Sequence, residues 1–78
     1  MIMEQNEFIK HFAEQLDEIP ESGLTKDVEF KQLDSWSSLT ALSVIAMVDE
    51  EYGVVIGGQE IREAKTIEDL FKIVSAKK

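Results

Sequence analysis

Seventy-eight residues allow one domain at most, and the lack of cysteine removes disulfides and thiolate metal sites as sources of stability. With 44% hydrophobic and 31% charged residues, the chain can build a core under a well-solvated surface and has no low-complexity tract. A net charge of −8 repels nucleic acid, and it suits partners with basic docking surfaces as well as plain solubility.

Near the start, Glu4 and Glu7 stand where a signal peptide would carry positive charge. Residues 4–16 have the spacing of an amphipathic helix. Phe8, Phe12 and Leu16 recur at i, i+4 and i+8, with Ile9 on the flank and Ile19 extending the stripe. Glu4, Glu7, Glu14 and Asp17 fall outside it. His11, the single histidine, has no visible partner here, so a partly exposed helix position outweighs a ligand or catalytic role. Pro20 ends the helix, and Glu21-Ser22-Gly23 has turn chemistry. A long connection follows, from Leu24 to about Ser37. Leu24, Val28, Phe30, Leu33 and Trp36 are spaced through it so as to pin it over the helices, with room for one helical turn.

The second helix begins near Ser37 or Ser38, either of which can cap it, and runs to Tyr52, where Gly53 stops it. Steps of 100° separate two faces. Ala41, Ile45, Val48 and Tyr52 form one stripe with Val44 at its edge, and this is the expected core face. Ser38, Leu39, Leu42, Ala46, Asp49 and Glu50 fall on another sector, expected as a partly exposed apolar patch beside Ser38. The uncharged run from Trp36 to Val48 is too short and too polar to span a bilayer, so a cytoplasmic protein is expected.

Val54-Val55-Ile56 is β-branched but has no second strand-like run to pair with, and reads as an extended connector. Gly57-Gly58 permits a turn, and Gln59 to Ala64 suit a short helix anchored by Ile61. Thr66 followed by Glu68 and Asp69 resembles a helix N-terminus. Ile67, Leu70, Phe71 and Val74 then repeat at i, i+3, i+4 and i+7, with Lys72, Lys77 and Lys78 toward the C-terminal end. The expected fold is all-α: a small four-helix bundle of three longer helices and one short one, forming a single domain over residues 1–78.

Enzyme chemistry finds little support. There is no Cys–His pair, no histidine cluster and no Gly-rich phosphate loop. Asp49-Glu50-Glu51 reads as a solvated acidic face rather than a cation site, since consecutive helix residues point different ways. Ser38 has no evident base, which makes it a very weak nucleophile on its own account and leaves a hydrolase without support. On the residues alone, Ser38 is either a simple helix cap or a hydroxyl that another enzyme modifies. A helix N-terminus favours an attached phosphate.

Three stretches together resemble the acyl carrier protein family. They are Leu33-Asp34-Ser35-Trp36-Ser37-Ser38-Leu39, the long apolar helix ending Asp49-Glu50-Glu51-Tyr52-Gly53-Val54, and Lys65-Thr66-Ile67-Glu68-Asp69-Leu70. The similarity covers the whole chain, including the helix lengths and the acidic balance. It implies a four-helix bundle whose serine at the start of the second helix carries 4′-phosphopantetheine, donated by coenzyme A through a phosphopantetheinyl transferase. The family's Asp-Ser-Leu motif falls on Ser37-Ser38-Leu39, so Ser38 is the implied attachment residue. The chain would then be a non-catalytic, monomeric carrier of acyl or aminoacyl thioesters in fatty acid, polyketide or related biosynthesis. Its implied partners are the transferase, a loading ligase or transacylase, and a ketosynthase or other acyl-transfer enzyme, docking on Leu39, Leu42, Ala46, Asp49 and Glu50.

Two departures stand out. Ser37 replaces the motif's aspartate, and Thr40 and Ser43 stand where fatty-acid-synthesis members often carry acids that meet basic partners. The usual fatty acid synthase partners are therefore expected to fit less well, and Trp36 resembles stand-alone carriers of specialised pathways and peptidyl carriers. The alternative is an unmodified helical interaction module that docks through Leu39, Leu42 and Ala46.

Overall fold

The computed structural model describes residues 4–16 and 23–78. Among them all regular structure is helical: α1 (Gln5–Ala13), α2 (Ser38–Tyr52), α3 (Gly58–Glu63) and α4 (Ile67–Lys77), with one 3₁₀ turn (Phe30–Gln32) between α1 and α2. The expectations for Asp17, Ile19, Pro20, Glu21 and Ser22 lie outside the described residues. No described helix is long and apolar enough to cross a membrane.

In α1 the i, i+4 spacing does what it predicts. Phe8 and Phe12 are fully buried, Leu16 lies just beyond the helix and is buried too, and Ile9 packs at the edge. The helix stops at Ala13 because its last turn tightens: Gln15 and Leu16 donate to the carbonyls of Phe12 and Ala13, three residues back. α1 packs against both α2 and α4. Phe8 makes both contacts with one ring, 5.8 Å from that of Tyr52 in α2 and 5.6 Å from that of Phe71 in α4.

The long connection is pinned as its apolar spacing predicts. Phe30 is fully buried on the 3₁₀ turn, and Leu24, Val28, Leu33 and Trp36 lean on the core. Short-range bonds (Gln32 to Glu29, Leu33 to Phe30, Trp36 to Leu33) shape its second half. Its first half serves α4, whose opening N–H groups at Ile67 and Glu68 donate to the carbonyls of Val28 and Lys26. Asp69, the third, donates to Thr66 Oγ1, while the Asp69 carboxylate accepts from the Thr66 and Lys65 N–H groups. The first three N–H groups of α4 are thus all satisfied inside the protein.

α2 ends where expected. Gly53 takes the left-handed conformation (φ 67°) and donates to the Asp49 carbonyl at 2.9 Å, a geometry that a side chain would strain. Val54 and Ile56 then turn inward and Val55 outward, an extended segment with no strand partner among the described residues. In the short α3, Ile61 is buried, and the Glu60 carboxylate reaches back to the Gly57 N–H at 2.9 Å.

One expectation about α2 is corrected. Its buried face is Thr40, Val44, Met47 and Val48, not the stripe of Ala41, Ile45, Val48 and Tyr52. Ala41, Ile45 and Tyr52 are only half-buried. The face is rotated by roughly 85°, which puts Val44, expected at the edge, at the centre. α2 is apolar almost all round, so its own pattern sets the direction of burial weakly. Packing into the shared core against its neighbours sets it instead.

Candidate functional site

The site expected around Ser38 is built on the first turn of α2. Ser37 is the N-cap, with extended backbone (φ −152°, ψ 176°), and its Oγ accepts the Thr40 N–H at 3.3 Å. The Thr40 hydroxyl donates to the Ser35 carbonyl at 3.1 Å and lies 3.2 Å from Ser37 Oγ. Thr40 itself is buried, at 5% exposure. This corrects its reading as a surface recognition position, since the side chain faces inward and its polar atom is satisfied there.

Ser38 follows the cap as the first helical residue and is exposed. The cap closes on Ser37 and Thr40 without its hydroxyl. Among the described residues, nothing accepts from the Ser38 or Leu39 N–H, in contrast to the fully satisfied start of α4. The first turn of α2 also contains no acid.

The expected patch residues are all exposed. Leu39 is 77% and Leu42 62% exposed, and Ala46, Ser43, Asp49 and Glu50 also face outward. α2 contains no cation. Among the described residues the ion-paired lysines lie on other elements: Lys26 and Lys72 with Glu68, Lys65 with Glu29, and Lys77 with Glu60. Lys31 donates to the Arg62 carbonyl, and Lys78 to the Tyr52 carbonyl that closes α2. The outer face of α2 is therefore apolar in the middle and purely acidic at its C-terminal end.

His11 is a partly exposed residue of α1, as expected, and the fold gives it partners that the sequence alone does not show. Its Nδ1 lies 3.4 Å from the Glu14 carboxylate and its Nε2 3.7 Å from that of Glu51, with its ring edge-on to Tyr52. Glu51 is thirteen residues beyond Ser38, about 20 Å along the helix, so the imidazole sits at the opposite end of α2 from the serine. Of the acidic run, Glu51 turns toward α1 while Asp49 and Glu50 stay solvated. No group of three potential metal ligands exists among the described residues. Burial raises the Tyr52 phenol above its ordinary pKa, helped by the nearby Glu7 and Glu51 carboxylates.

Sequence reasoning missed Thr40 as a buried brace and Val55 as an exposed apolar residue (76%). Signals for both were present: Ser37 and Thr40 have N-cap to N3 spacing, and an extended Val54-Val55-Ile56 must point its middle side chain away from the other two. Compared with protein-family models, curated proteins and solved structures, the chain matches none.

Proposed function

We propose that this protein is a carrier whose helices form an acyl-carrier-like four-helix bundle and whose Ser38 accepts 4′-phosphopantetheine from coenzyme A. One observation carries the reading. An exposed serine opens a long helix whose cap is already closed by its neighbours, beside two exposed leucines and an acidic rim. A serine serving only as a cap would point its oxygen back at the helix, a task that Ser37 already performs.

The residues fit the group. Ser38 Oγ forms a bond to the pantetheine-side phosphorus of coenzyme A, the pyrophosphate P–O bond breaks, and adenosine 3′,5′-bisphosphate leaves with the electron pair. The serine proton passes to a base of the transferase, because Ser38 has no base of its own. The Ser38 and Leu39 N–H groups and the helix dipole favour the phosphodiester charge. When attached, the arm supplies a terminal thiol that holds acyl or aminoacyl groups as thioesters. Leu39, Leu42 and Ala46 offer the apolar centre of a transient docking site, and Asp49 with Glu50 its rim.

Intact mass after co-expression with a broad-specificity phosphopantetheinyl transferase tests the proposal. One phosphopantetheine is expected on the parent chain and none on Ser38→Ala, with the helical circular dichroism retained because Ser38 is exposed and Ser37, not Ser38, caps the helix, so the loss should stay within about 0.5 kcal/mol. An unmodified parent would leave the same leucine patch as the surface of a plain interaction module. Modification that survives in Ser38→Ala and disappears in Ser35→Ala or Ser37→Ala would move the attachment to another serine.

A further inference from the structure

Thr40 is the buried polar side chain of the core among the described residues, and its hydroxyl is used twice. A threonine hydroxyl carries one hydrogen, and a carbonyl can only accept. The Thr40 hydrogen is therefore spent on the Ser35 carbonyl, and Ser37 must donate its own hydrogen to Thr40 Oγ1. Ser37 Oγ in turn accepts from the Thr40 N–H. The result is a closed tie across the entry to α2: Ser35 to Thr40, Thr40 to Ser37, and Ser37 back to the Thr40 backbone. Ser38 lies inside that loop and takes no part in it.

Capping alone does not need this arrangement. The bond from the Thr40 N–H to Ser37 Oγ already satisfies an orphan donor, and a valine would fill nearly the same space in the core. The hydroxyl adds a fixed position for the Ser35–Ser37 backbone, reinforced by the stiff χ1 of a β-branched residue.

We propose that Thr40 is a positioning residue for the modification of Ser38, acting through Ser37 and the Ser35 carbonyl to hold the Ser38 hydroxyl in one outward presentation. The inference rests on the carrier reading above. In the attack of Ser38 on the pantetheine-side phosphorus of coenzyme A, with loss of adenosine 3′,5′-bisphosphate, Thr40 touches no reacting atom. It acts by narrowing the range of positions from which the serine approaches, an orientation effect that belongs to kcat rather than to docking.

The test uses the full chain, coenzyme A and a broad-specificity phosphopantetheinyl transferase, with rates followed by intact mass and folding checked by circular dichroism. Thr40→Val is expected to lower kcat roughly tenfold with KM little changed, and Thr40→Ser to restore it to within about twofold. Ser37→Ala should reproduce the loss from the other side of the tie, and Thr40→Val with Ser37→Ala should be no slower than the slower single variant. Modification of Thr40→Val at the parent rate overturns the proposal, as does a Thr40→Ser variant as slow as the valine. Losses that multiply in the double variant also count against it. If Thr40→Val does not fold, Ser37→Ala at its exposed position decides alone, and an unchanged rate there is the overturning result. An unmodified parent removes the carrier reading, and this inference with it.

Discussion

The indole of Trp36 lies almost parallel to the ring of Phe12, with 4° between their planes and 6.0 Å between centroids. Phe30 stands edge-on to both rings, 5.2 Å from Phe12 and 4.9 Å from Trp36. Trp36 is two residues ahead of Ser38, so this three-ring stack ties the segment that delivers the serine to α1. Trp36→Ala should cost about 2–3 kcal/mol, below the range for a fully buried aromatic because the indole is partly exposed. Urea denaturation of the variant and parent measures it. A loss under about 0.5 kcal/mol would mean that the stack does not anchor the segment.

The rotated face of α2 changes which side chains should matter most. Met47 is on the buried face of α2 and Leu70 is fully buried on α4, and Met47→Ala and Leu70→Ala should each cost about 2–5 kcal/mol, a large part of the stability of a domain this small. Ile45 is half-buried, so Ile45→Ala should cost clearly less. Leu42→Ala should fall within about 0.5 kcal/mol of the parent, since that side chain is 62% exposed. Thermal or urea unfolding of the four variants ranks them. A cost for Leu42→Ala equal to that of Leu70→Ala would contradict the assignment of faces.

Most of the helical framework was legible in the sequence because strong local signals mark it. Phe8 and Phe12 at helical spacing, Gly53 after Tyr52, and Thr66 three residues before Asp69 each specify one boundary or face by local chemistry. The exposed patch was legible for a related reason: Leu39 and Leu42 cannot share a face with Ile45 and Val48. The direction of burial in α2 was not legible, because a helix with apolar residues on nearly every side leaves that choice to its neighbours. Thr40 was read as outward-facing because it stands where members of the resembled family often carry partner-facing acids. Its inward position depends on two partners, Ser35 and Ser37, that only the folded turn brings within reach. The contact between His11 and Glu51 likewise joins residues forty positions apart, and no local pattern encodes it.

Acid should weaken the starts of α3 and α4. Glu60 is held below its ordinary pKa of 4.5 by the Gly57 N–H, then by its own backbone N–H, with Lys77 adding to the effect. Asp69 is held below 3.8 by the Thr66 and Lys65 N–H groups, then by the Thr66 hydroxyl and Lys72. A carboxylate depressed in the folded chain contributes stability that is fully present above its ordinary pKa and is lost as pH falls through the depressed one. Glu60→Gln and Asp69→Asn should thus be less stable than the parent at neutral pH. The gaps should close as pH drops below 4.5 for the first and 3.8 for the second. Comparing each variant with the parent at the same pH largely cancels the relief of self-repulsion that acid brings to so negative a chain. Melting curves from pH 7 to about 2.5 would show it, and a gap independent of pH would rule out the carboxylate charge as the cause.

Recognition should divide between the leucines and the acids of α2. Leu39 and Leu42 adjoin Ser38 and are exposed, so a partner that approaches the serine has to cover them. Burying such side chains is worth about 1.5–3 kcal/mol each, which is enough to hold a transient complex together. Leu42→Arg removes that contribution and sets a cation in the centre of the patch, while the parent side chain makes little contribution to the core. It should slow modification of Ser38 at least tenfold, mainly through KM, with the melting temperature nearly unchanged. Asp49 and Glu50 lie at the rim, where charge chiefly speeds encounter with a basic partner. Asp49→Asn with Glu50→Gln should therefore slow the reaction at low salt and approach the parent rate as ionic strength rises past about 0.15 M, where the screening length falls to roughly 8 Å. Transferase kinetics on both variants across a salt series separate the two effects. If Leu42→Arg is modified as fast as the parent, the transferase docks elsewhere. A salt-independent loss in the double acid variant would mean that those carboxylates make close contacts rather than steer.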